Sequence, residues 1–256
     1  MSDLANRLAA VSERVARAAE RAGRRPEDVV LVGVSKRKTA GELVQAVQAG
    51  LTHIGENYVQ EAGPKLSEVR ATLEGLGRRA PTAHFIGSLQ RNKAAAALQL
   101  FDVIETVDRA ALGDALDRHA GEAGRRLEIL LQVNLSGEAQ KGGIAPEDLP
   151  TLVEHSRSWR HLSVTGLMAI PAPEADAQHQ RPAFAALRAL RDSLQAAADG
   201  PRLRHLSMGM SGDFEVAIEE GATHVRVGTA IFGPRETMTG SATRPGTPGK
   251  PDHSEG

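Results

Sequence analysis

One lysine is placed where a chain can do chemistry. In Val29–Lys36, VVLVGVSK, a run of β-branched apolar residues breaks off at Ser35-Lys36 and gives way to Arg37-Lys38-Thr39. Such a run reads as a buried parallel strand leaving the core at its C-terminal end, with Lys36 at its exit. An ε-amine there can form a Schiff base with a carbonyl compound; the plain competitor is a solvated lysine. A second group of residues suits an anion. Ser207–Gly221, SMGMSGDFEVAIEEG, and Gly228–Gly233, GTAIFG, combine glycines and hydroxyls with helix starts, and backbone N–H groups at such places cradle phosphate. The third feature is Arg226, which alternates with Val225 and Val227 and so shares a strand face with His224 and Gly228. An inward arginine needs an acceptor, either a carboxylate such as Glu56 in a structural ion pair or a ring nitrogen of a ligand.

The elements that would carry these groups alternate along the chain. Strand-like runs fall at Val29–Ser35, His53–Gly55, His84–Gly87, Val103–Thr106, Leu127–Asn134, Ser163–Ile170, His205–Gly209 and His224–Gly228. Between them Ala40–Ala49, Gln90–Leu100, Ala110–Ala123, Leu149–Ser156 and Pro182–Ala198 are rich in good helix formers. An open doubly wound sheet gives a similar alternation, but eight strand-helix units favour a closed (β/α)8 TIM-type barrel. In such a barrel functional groups gather at the C-terminal strand ends, and the loops after the seventh and eighth strands bind phosphate. If Lys36 faces inward, Val34 and Val32 do too, with Gly33 and Ser35 outward. An amphipathic helix precedes the barrel, with Leu4, Leu8, Val11, Val15 and Ala18 on one face and Arg7, Arg14, Arg17 and Arg21 largely off it, ended by Gly23 and Pro26. Residues 1–235 therefore form a single domain ending near Pro234, and 236–256, dense in Gly, Pro, Ser and Thr, form a disordered tail.

Composition narrows the function. The chain has 256 residues with 31 basic against 32 acidic side chains, and its 3% aromatic content offers few platforms for bases, so no nucleic-acid partner is expected. Glu13 and Glu20 also interrupt the arginine face of the first helix, which reads as solvated. With no cysteine there are no disulfides, no thiolate catalysis and no cysteine metal site. No apolar run reaches a membrane span, and MSDLANRL has no signal-peptide character, so a cytoplasmic location is the default. His53, His84, His205 and His224 stand at strand starts without a paired metal-ligand spacing such as H-E-x-x-H, and read as hydrogen-bonded residues of the barrel bottom. Met168, Met208 and Met210 read as packing.

A strand-end lysine, an inward arginine and a two-loop phosphate cradle together are what pyridoxal phosphate needs: an amine for its aldehyde, a seat for its phosphate, a polar group at its pyridine nitrogen. An arginine at that nitrogen keeps it unprotonated and weakens the ring as an electron sink. The motifs VGVSK, HIGENYVQE, HFIGSLQRNK, GLMAIPAP, LSMGMSGDFEVAI and VRVGTAIFG, in this order from about Leu4 to Arg235, resemble the pyridoxal-phosphate homeostasis protein family, of the alanine-racemase N-terminal-domain type. The resemblance implies a single barrel carrying pyridoxal 5'-phosphate on Lys36 with no established turnover, buffering the cofactor and delivering it to apo enzymes in vitamin B6 homeostasis. It also implies that Arg226 meets the pyridine nitrogen, that Ser207, Gly228 and Thr229 surround the phosphate, that Met210 and Ser211 contribute backbone N–H groups, and that Asn57, His84 and Gly87 line the ring. Two departures stand out: Ser211-Gly212-Asp213 replaces the family's Ser-Asp-Asp, loosening the helix start, and Arg37 adds positive charge beside Lys36. Lys141 matches a family lysine whose role the sequence leaves open; a solvated loop lysine is the default.

A non-catalytic carrier acting as a monomer is thus the leading expectation. The alternative is a pyridoxal-phosphate amino-acid racemase, which needs a second acid/base. Alanine-racemising relatives take it as a tyrosine from a separate C-terminal β-domain, whereas Tyr58 is the single tyrosine here and only about 20 low-complexity residues follow the eighth strand. A weaker option is a phosphate-sugar barrel enzyme using Lys36 as an aldolase-type Schiff base.

Overall fold

The computed structural model describes residues 2–138, 142–172, 174–197 and 202–234; Lys141 and the expected tail, 236–256, lie outside them. Its strands are β1 (Val30–Val34), β2 (His53–Glu56), β3 (Thr82–Phe85), β4 (Val103–Val107), β5 (Leu127–Val133), β6 (Leu162–Ala169), β7 (His205–Ser207) and β8 (His224–Val227). They form a closed barrel in sequential order, every pairing parallel, with β8 returning to β1. The expected (β/α)8 architecture is therefore the observed one. Expected strand ends differ by at most two residues, mostly because the last residue of a run often lies in the loop above the ladder, as Ser35 and Ile170 do.

Around the barrel stand α1 (Asp3–Arg21), α2 (Ala40–Gln48), α3 (Val59–Gly75), α4 (Ala94–Leu100), α5 (Ala110–Glu122), α6 (Leu149–Ser156), α7 (Arg181–Ala196), α8 (Phe214–Glu219) and α9 (Thr229–Phe232). Helix α1 buries Leu4, Leu8, Val11, Val15 and Ala18, the stripe its spacing predicts. Its arginines are ion-paired, Arg7 with Asp3, Arg14 with Glu215, Arg17 with Glu13 and Arg21 with Glu219. Helix α2 starts at once after the Lys36 loop, because Thr39 and Glu42 close a reciprocal capping box. Among the described residues no helix is long and apolar enough to cross a membrane.

Helix α3 is the main element that sequence reading does not find. Gly63 and Pro64 break the propensity pattern, yet Val59, Ala62, Leu66, Val69 and Leu73 recur at three and four and are buried, so tertiary packing overrides the proline. Most of the core lies between barrel and helices. Register sets the inner face: Val32 pairs with Arg226 and with His53, and His53 with Thr82, so these point inward together. The one apolar cluster recorded inside the barrel is small, Val103 with Leu130 and Met168. Beside Val32, that interior holds polar side chains, among them Arg226, His84, Glu105, Ser207 and His224. A barrel centre usually packs branched aliphatics, so this departure marks where function concentrates.

Candidate functional site

The loop after β1 makes a tight turn in which the Lys38 N–H donates to the Ser35 carbonyl at 3.0 Å. Arg37 occupies its third position at φ 61°, the one non-glycine residue with positive φ among those described. That is the type II pattern, which favours glycine there. Lys36 takes the second position and is half-buried. Strand β1 thus ends by presenting the lysine on a turn whose geometry the arginine must be forced to adopt.

Strand β8 runs beside β1, so the loop after β8, expected to hold phosphate, adjoins this turn. A Cβ built on Gly228 would lie 3.4 Å from Val34, two residues before Lys36. Lys38 Nζ donates to the Phe232 carbonyl at 3.1 Å, tying the turn to the end of α9. The Gly228 N–H donates to Ser211 Oγ at 3.2 Å, and the Met210 N–H to Asp213 Oδ1 at 2.6 Å, so the loops after β7 and β8 are joined by the residues expected to hold phosphate. Burial raises the Asp213 carboxyl above its usual range. Ile231 and Phe232 both direct their N–H groups to the Gly228 carbonyl, leaving the first-turn N–H groups of Thr229 and Ala230 without an intrahelical acceptor.

Below the mouth the expected residues separate into two sets. Asn57 follows β2, and its Oδ1 is buried with no partner recorded. Gly87 sits against it so closely that a Cβ would stand 2.1 Å from the Asn57 carbonyl oxygen, so a glycine is required here by backbone approach. Ser207 and His84 face the barrel interior. Ser207 Oγ donates to Glu105 at 2.5 Å and accepts from Arg226 Nη1 at 2.6 Å, while His84 Nδ1 donates to the other Glu105 oxygen at 2.7 Å. Arg226, 3% exposed, also donates to the Ala169 carbonyl at 2.8 Å. Its carboxylate is thus Glu105, 4.0 Å away, and not Glu56, which points outward from β2 to meet Lys65 at 2.8 Å. Burial alone would raise Glu105; the hydrogen bond from His84 and the charges of His84 and Arg226 overcome it and hold the group at about 2.

The polar interior continues downward. His53 and His84 share a 2.9 Å hydrogen bond, and the rings of His84 and His205 lie 5.8 and 4.8 Å from that of His224. His53, His84 and His224 are hydrogen-bonded, His224 to Thr223 Oγ1 at 2.9 Å, while His205 stands 3.6 Å from Glu128 Oε1. Burial pushes His224 down to about 3 and, with the neighbouring His84, His53 down to about 4; it lowers His205 as well. Stability should therefore fall in mild acid. Below the ordinary value of 6.5 an unfolded His224 takes a proton that the folded one refuses until about 3, so each pH unit removes about 1.4 kcal/mol and about 2 kcal/mol is gone near pH 5. Glu105 adds to the loss between its ordinary 4.5 and about 2, and the raised Glu56 and Asp213 oppose it above the carboxylate range. Urea midpoints taken at neutral pH and near pH 5 check this; an unchanged midpoint contradicts it.

Glu105 and Lys65 have no place in the sequence expectations, although both leave a trace. Glu105 is the one charged residue in an otherwise uncharged, buried strand, and Lys65 falls on the α3 stripe between Ala62 and Val69. A charge in either position is buried and must be paired.

The chain matches the model of the alanine racemase N-terminal domain over residues 7–236. It is 43% identical over 242 residues to a pyridoxal phosphate homeostasis protein of Pseudomonas aeruginosa, covering 92% of this chain and 97% of the other. Among solved structures it is similar to PipY of Synechococcus elongatus PCC7942 with PLP bound, at 39% identity and a TM-score of 0.77, covering 90% of this chain and all of that one. Alanine racemase from Corynebacterium glutamicum shares the fold alone, at 18% identity and a TM-score of 0.58 over 60% of its length.

Proposed function

This chain belongs to the alanine racemase N-terminal domain family, among its pyridoxal phosphate homeostasis proteins, and from that membership we propose that it is a cytoplasmic carrier that holds pyridoxal phosphate on Lys36 without turning over a substrate. Bound there, the cofactor supplies an aldehyde that condenses with a lysine amine and a pyridine ring that can withdraw electrons. The site suits it on an observation of its own: Asn57 Oδ1 is a buried acceptor in want of a donor, and Thr229 and Ala230 at the start of α9 have N–H groups without an intrahelical acceptor. Lys36 offers the amine from its turn. Ser211, Gly228 and Thr229, with the Met210 backbone, receive the phosphate, and Asn57 lines the ring. His84, Gly87 and Ser207 act one step behind: Gly87 by seating the Asn57 backbone, His84 and Ser207 by holding Glu105 and Arg226 in place.

The observation that carries the non-catalytic reading is Arg226. Burial lowers its pKa, with Glu105 and Asp213 countering, but a guanidinium remains charged throughout the physiological range and has no proton to give to a facing ring nitrogen. A pyridine nitrogen opposite it stays unprotonated, and the ring is a poor sink for a carbanion. The chain would then keep the reactive aldehyde out of solution and release it to apo enzymes.

Purified protein mixed with pyridoxal phosphate, reduced with borohydride and mapped by peptide mass should carry the increment on Lys36. In the unreduced protein, α-proton exchange of a panel of amino acids followed by NMR should not exceed that of free cofactor; sustained exchange well above it would favour the racemase instead.

A further inference from the structure

We propose that Lys65 is a positioning residue for Lys36, the buried cation that holds the turn on which the reactive amine stands; the inference rests on Lys36 being the aldehyde-bearing lysine. Lys65 lies on α3, 8% exposed, and its Nζ reaches three oxygens: the Ser35 carbonyl at 2.9 Å, Glu56 Oε1 at 2.8 Å and Glu61 Oε1 at 2.8 Å. Each oxygen also holds a residue next to Lys36. Glu56 Oε1 accepts from Ser35 Oγ at 2.6 Å, Glu61 Oε1 accepts from the Arg37 N–H at 2.5 Å, and the Ser35 carbonyl closes the turn with the Lys38 N–H. Both neighbours of Lys36 are thus fastened to one ammonium group.

The turn needs such a clamp. Arg37 has left-handed backbone that a residue with a Cβ adopts at a cost, and these bonds help to offset it. The clamp cannot lose its cation quietly. Glu56 is fully buried and its Oε2 has no partner, so without Lys65 only the Ser35 hydroxyl would remain to it. An unpaired buried carboxylate takes up a proton or moves toward water, and either change releases Ser35. The proline and glycine that obscure α3 in the sequence lie at Gly63-Pro64, immediately before the residue that gives the helix its role.

The test compares wild type with Lys65→Met, Lys65→Arg and Glu61→Gln in cofactor-free protein. An amine-selective acylating reagent is applied, and the labelling rates of Lys36 and of Lys93, before α4, are read from peptide masses. Pyridoxal phosphate affinity is measured in parallel. Lys65→Met should change the Lys36 rate relative to Lys93 by about three-fold or more and weaken cofactor affinity by about ten-fold, in keeping with the sensitivity of a reacting group to small misplacement. Lys65→Arg should recover part of both, and Glu61→Gln should show a smaller change of the same sign without global unfolding, which keeps the test open if Lys65→Met does not fold. Unchanged Lys36 labelling in the folded variants overturns the positioning role. A wild-type protein that takes no cofactor on Lys36, with labelling still dependent on Lys65, overturns the function and leaves the clamp standing.

Discussion

Replacing Lys36 by alanine is expected to give a folded protein that no longer keeps pyridoxal phosphate through gel filtration and shows no borohydride-stable mass increment. On the proposed function the effect should be large, because the backbone that carries Lys36 is fixed between the end of β1 and the capping box of α2. Well-oriented intramolecular reactions have very high effective concentrations, so a loss of at least ~100-fold in apparent affinity is a modest estimate. The phosphate loops should leave a residual, salt-sensitive affinity. Lys36→Arg separates charge from covalency, since a guanidinium keeps the positive charge but is a poor nucleophile at neutral pH. Lys38 is engaged by the Phe232 carbonyl and by Glu42, and the mass map will show directly whether it substitutes. Retention by Lys36→Ala equal to wild type would remove Lys36 from the site.

How far these groups can be read from the chain depends on what makes each one visible. The strands show because a strand buried on both faces is largely apolar, and Val29–Val34 can be little else. Strand parity then puts Arg226 on one face with His224, opposite Val225 and Val227, because a period of two holds along any short strand. The partner of Arg226 is a different matter. Glu56 and Glu105 are both single acids in short strands, but they fall on opposite faces: Glu56 is one residue beyond inward Gly55, and Glu105 two beyond inward Val103. Deciding between them needs the registers β2–β3 and β3–β4, which sequence does not supply. Helix α3 is hidden for a local reason, Gly63-Pro64, and its burial is a long-range fact. Lys65 is hidden with it, because a lysine on an apolar stripe can be recognised only once the stripe is known to be a helix. The phosphate loops are the reverse case. Their glycines and hydroxyls are plain in SMGMSGD and GTAIFG, but the bond between Gly228 and Ser211 depends on β7 and β8 lying side by side.

The second large effect should come from Glu105→Leu, as a loss of about 3–5 kcal/mol in unfolding free energy, or about 10 °C in melting temperature for a domain of this size. Leucine is near in volume, so cavity and overpacking terms are small. What is lost is a fully buried carboxylate that meets three donors at once: His84 directly, Ser207 directly and Arg226 through Ser207 and at 4.0 Å. With it gone, Arg226 is a fully buried cation with the Ser207 hydroxyl and the Ala169 carbonyl as its remaining neutral partners, and His84 has a buried N–H without an acceptor. Leaving one member of a buried pair uncompensated is the costly case, whereas removing both can be nearly neutral. Arg226→Leu alone should therefore be milder, because Glu105 keeps its bonds from His84 and Ser207. The double variant should be more stable than the sum of the singles, with a coupling of about 2 kcal/mol in the cycle. The same comparison tests function by another route. Glu105→Leu retains Arg226 but frees it to move or admit water, so any cofactor bound to that variant should show an altered absorption spectrum at unchanged Lys36 attachment. If Glu105→Leu unfolds within about 1 kcal/mol of wild type and the cycle shows no coupling, the buried carboxylate does not anchor Arg226, and the arginine's place at the ring must be set by other groups.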